Sequence, residues 1–454
     1  MTRTNPHIFS IITGGISLLI LIILSVVFYQ ERIYFSDPAF QLFLMINDNQ
    51  IEVMTNRWPS TIFRWLPYIG LKMDCSVATL SKLFSLSFPL FHLIVFTIIS
   101  AVYRDRIFSL LLLLSVFLAT SETFYWCSSD LLQGMVTAFL GIVMFKNSSS
   151  IVIKYIGSAF FLVAAVFFHP LTLFPFFFIV IDDILERKKI RSMDWHLPLV
   201  FGGAWIIRNK FFSTWYDVAK GKDFWNNAAN LNWLDIPAHK TFLTEIPMHY
   251  QLMVLALVIS SIILIKRKSF LRLAFMLVSI PVFLLVIHLG NPSGVASFYR
   301  EASYIPLAVF VSYPFIKHIC KKDQIDIKYK IFIPLILVFS LMRMLYFAPQ
   351  YTDRIKWMED KLTSMPCDKS MMQLPPRDEG ILKMSWGLPF ETCLLSSEKN
   401  TYKTLYNTPN EKDFIKQERR DVFLGPFKVL YTTDFNQSYF PFDESHYCKY
   451  IKEE

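Results

Sequence analysis

The chain has 454 residues, of which 54% are hydrophobic and 16% aromatic, and its mean hydropathy is +0.40. This composition excludes an ordinary soluble domain and is typical of a protein that crosses a membrane several times. The formal net charge of +9 does not indicate nucleic-acid binding, because the lysines and arginines fall in short clusters between apolar runs, as in the cytoplasmic loops of membrane proteins.

The first apolar run covers residues 8–29. As a helix of about 22 residues it would be about 33 Å long, enough to cross a bilayer. A cleavable signal peptide would have a shorter apolar core and a small-residue cleavage site, which residues 26–30 do not offer. We therefore predict that this run is retained as the first transmembrane helix.

A long polar interruption follows this helix, and we assign it to a loop of residues 30–85. Asp37 brings a carboxylate within a few residues of the predicted membrane surface. Residues 38–49 and 60–71 combine apolar residues with polar breaks, a pattern typical of helices that lie along a membrane interface. If the protein performs chemistry, we expect it in this loop.

Ten further apolar runs predict additional transmembrane helices, about eleven in total. They cover residues 86–103, 107–120, 131–145, 155–168, 171–185, 197–207, 252–265, 273–289, 304–316 and 331–347. Several are short for a full crossing, so either their ends extend into polar sequence or residues 155–185 form one re-entrant pair.

Short basic connections predict the orientation in an inner (plasma) membrane. They contain Arg3, Arg104, Arg106, Lys146, Lys154 and the basic groups within residues 187–191, 266–272 and 317–330. Because these connections alternate, and cytoplasmic loops are enriched in lysine and arginine, we place them and the amino terminus in the cytoplasm. The other side then receives the loop 30–85, residues 121–130, 208–250 and 291–303, the turn at His169, and the tail from residue 348.

The tail, residues 348–454, is polar in composition and large enough for a small domain. Residues 353–362 indicate a helix, whereas 381–386 and 421–431 alternate like strands. We expect a compact extracytoplasmic α/β domain beside a transmembrane domain of residues 1–347. An oxidising compartment would permit one disulfide among Cys367, Cys393 and Cys448, but their spacing does not determine the pairing.

This layout resembles the GT-C class of integral membrane glycosyltransferases. In that class an acidic residue lies in the first outer loop near the end of the first span, matched here by Asp37. A second acid often lies in the next outer loop, matched by Glu122. The paired acids common in the first loop of many members are absent, since Asp37 stands between Ser36 and Pro38. The tail segment 385–391, SWGLPFE, is also similar to uncharacterised bacterial membrane proteins of this type.

The resemblance implies transfer of a sugar from a polyprenyl-phosphate donor to a glycan, lipid or protein acceptor outside the cytoplasm. No cofactor is required, although a divalent metal shared by Asp37 and Glu122 is possible. Three alternatives stay open: a flippase or transporter of lipid-linked oligosaccharides, an O-antigen-type polymerase with key arginines in a loop such as 208–250, and a scaffold without activity.

Two carboxylates are the candidate catalytic residues. Asp37 would act as the base that removes the acceptor's hydroxyl proton, or would serve as a helix N-cap with Pro38 at the first helical position. Glu122 would orient the acceptor, or would be a solvated residue at a helix end.

The candidate phosphate ligands are basic residues predicted on the outer side. Arg300 comes first, because guanidinium recognises phosphate through paired donors and GT-C members similarly place a basic residue in a late outer loop; pairing with Glu301 is the alternative. His169 could bind phosphate or donate a proton, or lie in a solvated turn. The further options are Arg57, Arg64 and Arg208, most of which would instead be interfacial anchors, and Arg343. Arg343 lies within a predicted span, where a charge usually faces a cavity or a partner.

Overall fold

A computed structural model describes residues 6–190, 195–320, 327–408, 420–426 and 430–449. Of the predicted cytoplasmic basic residues, Arg3, Arg191, Lys321 and Lys322 lie outside these ranges. Residues 427–429 of a predicted strand lie outside them as well.

The described residues are mostly helical. The helices are α1 Pro6–Val27, α2 Tyr29–Ile33, α3 Asp37–Asp48, α4 Ile62–Lys72, α5 Val77–Thr97, α6 Arg106–Ala119, α7 Asp130–Asn147, α8 Ser158–Phe168, α9 Leu173–Arg187, α10 His196–Phe211, α11 Trp215–Asn230, α12 Pro237–Glu245, α13 Gln251–Lys266, α14 Phe270–Gly290, α15 Ser297–Cys320, α16 Ile327–Ser364, α17 Pro376–Leu382 and α18 Leu388–Glu398. Each predicted apolar run lies largely on one of them.

Among the described residues, five helices are long and apolar enough to cross a membrane. They are His7–Val27, Val77–Val102, Pro237–Lys266, Phe270–Gly290 and Ile331–Ser364, and two shorter apolar helices cover Arg106–Ala119 and Ile153–Phe168. The chain is therefore a helical protein of the kind that membranes accommodate.

Small residues let helices approach closely inside the bundle. A Cβ atom added to Gly134 on α7 would lie 3.0 Å from the carbonyl oxygen of Ala165 on α8, and one added to Gly141 would lie 3.1 Å from that of Ser158. Glycine at both positions therefore permits close α7–α8 packing, as is common between membrane helices.

At the end of the bundle predicted to be cytoplasmic, basic side chains pair with acids of α9. Arg272 donates from Nε and Nη2 to the two carboxylate oxygens of Asp182, at 2.8 and 2.7 Å. Lys317 and Lys146 lie 2.6 and 2.8 Å from Asp183. These contacts connect α7, α9, α14 and α15, so the basic residues that mark this side in the sequence also hold the helices together.

The segment between α1 and α5 and the tail share a second hydrophobic core. Phe43 on α3 lies at its centre, with its ring 5.1 Å from that of Phe390 and 4.9 Å from that of Phe440. The apolar face of α3 is thus covered by the tail, contrary to its predicted interfacial position. On α4, by contrast, Ile62 and Trp65 are exposed, as expected of a helix at a membrane surface.

The tail is a small α/β unit, as predicted. Parallel strands β1 Lys369–Met372, β2 Thr404–Asn407 and β5 Cys448–Lys449 form a sheet in the order β2-β1-β5, and β3 Val422–Phe423 pairs antiparallel with β4 Leu430–Tyr431. The strand predicted at 381–386 is wrong, because α17 occupies its start and no strand follows there. The predicted helix 353–362 is the end of α16. Cys367 and Cys448 form a disulfide, and Cys393 is free and buried.

Candidate active site around Asp37

Asp37 is the first residue of α3 and Pro38 is the second, while Ser36 holds the N-cap position. The predicted N-cap role of Asp37 is therefore wrong. The Asp37 carboxylate instead accepts a hydrogen bond from Trp126 Nε1 at 3.2 Å. Asp37 is thus oriented away from the end of its own helix and towards the loop between α6 and α7.

Burial raises the pKa of Asp37 to about 6. The hydrogen bond from Trp126 and the positive charge of Arg57 act in the opposite direction, whereas Asp130 adds to the increase. The side chain still keeps part of its surface accessible, so protein surrounds it without sealing it off. A carboxyl with a pKa near neutrality can exchange protons at physiological pH.

Arg57 is a basic group whose charge acts on Asp37. Its Nη1 lies 2.8 Å from Asp130 Oδ2, and the two side chains are 20% and 15% exposed. Among the described residues, the Arg57 guanidinium donates only to Asp130, and its Nε is buried without a partner. Arg57 therefore retains donors for a further anion.

His169 and Arg208 belong to the same neighbourhood. Burial lowers the pKa of His169 well below its usual range, and the charges of Arg57 and Arg208 lower it further. Its Nδ1 accepts a hydrogen bond from the backbone N–H of Leu171 at 3.2 Å, so the neutral ring carries its proton on Nε2. Arg208 lies 3.3 Å from Asp217 on α11. Three of the predicted phosphate ligands thus lie near one another, because the charges of Arg57 and Arg208 both act on His169, and one of them, Arg57, also acts on Asp37.

Aromatic side chains that the sequence analysis missed form one wall of this site. The ring centroids of Trp126 and Tyr299 are 4.5 Å apart, and Phe298 packs on Trp126 at 5.6 Å. Tyr216 on α11 is close enough for the charges of Arg57 and Asp37 to act on it. Tyr299 directly precedes Arg300 in the sequence. Arg300 was the predicted phosphate ligand of this segment, but it is Tyr299 that packs against Trp126.

Glu122 is 2% exposed, so the alternative of a solvated helix end is wrong. It forms an ion pair with Lys383 of the tail and accepts a hydrogen bond from Tyr351 at 3.0 Å. These partners differ from those of Asp37. Glu122 therefore connects the loop between α6 and α7 to α16 and the tail.

The remaining predicted ligands are already engaged. Arg300 pairs with Glu245 and donates to the carbonyl of Val295, so the predicted alternative of an Arg300–Glu301 pair is wrong. Glu301 accepts hydrogen bonds from Ser121 and Thr123 instead.

Arg343 donates to the Ser121 hydroxyl at 3.1 Å and to the carbonyl of His249. It is 9% exposed and lies in α16, as expected of a charge inside a span that has found polar partners.

The tail positions the backbone immediately before Asp37. Glu391 on α18 accepts a hydrogen bond from the backbone N–H of Ser36 and pairs with Arg354 of α16. Arg354 also donates to the carbonyl of Tyr34 at 2.5 Å. Ser36 has φ 52° and ψ −120°, a conformation that costs a non-glycine residue free energy and persists only under external constraint.

Gly387 permits this contact. A Cβ atom at Gly387 would lie 2.7 Å from Ser36 Cα, closer than packing allows. Both Gly387 and Glu391 belong to the SWGLPFE segment, so that segment is the part of the tail that contacts the Asp37 loop.

In the part of the chain that the structure describes, no group of three or more His, Cys, Asp or Glu side chains is placed to hold a metal ion. Comparisons with protein-family models, with curated proteins and with solved structures gave no match. The function must therefore be inferred from the chemistry of these side chains.

Proposed function

We propose that the protein is a membrane glycosyltransferase that moves a sugar from a polyprenyl-phosphate donor to a hydroxyl acceptor on the extracytoplasmic side. The observation that carries the proposal is that Asp37, a carboxyl with a pKa of about 6, lies within range of the positive charge of Arg57. Glycosyl transfer from a phosphate needs a base and a cation close together, and this neighbourhood supplies both.

In the proposed reaction Asp37 takes the proton of the acceptor hydroxyl as its oxygen attacks C1 of the sugar. The bond from C1 to the phosphate oxygen breaks, and the configuration at C1 is inverted by this single displacement. Arg57 stabilises the departing phosphate, with His169 Nε2–H as a further donor. The stacked rings of Trp126 and Tyr299 would border the sugar.

The proposed topology has about eleven spans and an extracytoplasmic tail. The Cys367–Cys448 disulfide supports that location of the tail, because such bonds persist in oxidising compartments. The pairing of Arg300 with Glu245 shifts the principal phosphate role from Arg300 to Arg57 in this proposal.

The test is sugar transfer by purified protein from a panel of polyprenyl-phosphate sugars to acceptors from membrane extracts. We expect Asp37→Asn to abolish transfer while donor binding persists, and Arg57→Ala to weaken both. Asp48→Asn, at the other end of α3, is the matched control and should keep full activity.

Transfer that survives Asp37→Asn would refute the assigned base. No transfer by the wild type with any donor would instead favour a flippase or a scaffold, and polymerisation of a lipid-linked oligosaccharide would favour the polymerase.

A further inference from the structure

A cavity of about 50 Å³ lies within the helix bundle, apart from the side chains around Asp37. Its lining comes from α1, α2, α5, α6, α7, α15 and α16 and includes Arg32, His92 and Gln133. These three side chains are 3%, 5% and 2% exposed. Such strongly polar groups are rarely buried this deeply unless their charges and hydrogen bonds are satisfied.

The charge of Arg32 meets only neutral acceptors. Its Nε donates to the Ser85 hydroxyl at 2.7 Å, its Nη2 contacts the Ser85 carbonyl at 3.3 Å, and its Nη1 donates to the carbonyl of Phe124. Within the described ranges, no carboxylate pairs with Arg32. The titratable groups that act on its charge are the Cys127 thiol and the Tyr125 phenol, which are neutral at physiological pH.

Two further atoms in the same lining lack partners. His92 Nε2 and Gln133 Oε1 are buried and form no hydrogen bond with the described protein atoms. An unpaired polar atom in a protein interior costs about 1–3 kcal/mol, and an unpaired buried charge costs more. An occupant of the cavity that is negatively charged and hydrated would satisfy all three groups.

We propose that this cavity binds one small monovalent anion, such as chloride, together with water. Arg32 has two N–H donors beyond those already used, and His92 can donate from Nε2. Gln133 Oε1 needs a donor, which a water molecule bound to the ion supplies. Since about 10–15 Å³ of such volume holds one water, the cavity accommodates an ion with two or three waters.

The test is chloride binding by the intact purified protein. Protein exchanged into gluconate is titrated with radiolabelled chloride, and its melting temperature is compared in chloride and gluconate at equal ionic strength. We expect one saturable chloride per chain, displaced by bromide, and a melting temperature several degrees higher in chloride. No saturable binding, with equal melting temperatures in the two salts, would show that the cavity holds only water and overturn the proposal.

Variants locate the ion. His92→Phe and Gln133→Leu should each weaken chloride binding by about tenfold or more, since each removes a polar contact. His196→Phe is the matched control, because His196 stacks on Phe145 at 5.0 Å and does not line the cavity. Equal chloride affinity in all three variants would place the ion elsewhere and refute the assignment. The wild-type titration decides the question even if a cavity variant fails to fold.

Discussion

Asp37→Asn should make the protein more stable at alkaline pH while it removes the proposed activity. The pKa of Asp37 rises from 3.8 to about 6 on folding. The neutral acid is therefore favoured in the folded state, and the stability that it contributes is fully present below pH 4. This contribution is lost as the pH rises through 6. Asparagine cannot ionise, so the stability of the Asp37→Asn variant should not decrease in this way as the pH rises.

The size of the effect follows from the shift. About two pKa units correspond to at most about 3 kcal/mol, and the residual exposure of Asp37 reduces this figure. Asparagine keeps an oxygen that can accept the hydrogen bond from Trp126. We therefore expect Asp37→Asn to raise the melting temperature by a few degrees at pH 8 and to change it little at pH 4.

The assay is thermal unfolding of both proteins in one detergent across this pH range, with Asp48→Asn as the control. The transfer rate of the wild type should rise with pH through about 6, as the base loses its proton. A variant less stable than the wild type at pH 8 would refute the reasoning. The hydrogen bond between the ionised Asp37 and Trp126 would then stabilise the folded state.

Three further substitutions test how the tail positions this site. Gly387→Ala should lower the free energy of unfolding by about 1–3 kcal/mol and remove most of the transfer activity. The control Gly380→Ala should change neither, because a Cβ atom at Gly380 would have no atom within 4 Å. Equal effects of the two substitutions would contradict the contact between Gly387 and Ser36. Ser36→Gly should keep activity and relieve strain, and a lower melting temperature would argue against strain. Lys383→Ala removes the ion-pair partner of the buried Glu122, which keeps its hydrogen bond from Tyr351, and should lower the free energy of unfolding by about 3–5 kcal/mol. An unchanged stability would contradict the importance of this ion pair.

The helices could be predicted from the sequence because long apolar runs are a local signal. The position of α3 could not be predicted in this way, because its pattern of apolar and polar residues suits a lipid surface and a protein surface equally well. What covers it is a tail more than three hundred residues away in the sequence. The strand predicted at 381–386 was wrong for a similar reason, because the apolar pattern of a short segment does not distinguish a strand from the end of a helix.

Several candidate residues were found because charges are rare in this chain. Among them, the charge of Arg57 acts on both Asp37 and His169, and that of Arg208 acts on His169. Partners were not predictable, since an ion pair depends on which loops meet. Asp130 pairs with Arg57, although its position at a helix start gave no sign of that role. Arg300 looked free because its partner, Glu245, lies 55 residues away in the chain.

The helix α16 has 38 residues and is therefore about 57 Å long, nearly twice the thickness of about 30 Å of a bilayer's hydrocarbon core. Its far part carries Arg354, which contacts the carbonyl of Tyr34 and the carboxylate of Glu391. Helices tilt when a bilayer becomes thinner, and a tilt of about 10° would move the far end of such a helix by about 10 Å. If α16 spans the membrane, a change in bilayer thickness would therefore move the side chain of Arg354 and the backbone that precedes Asp37.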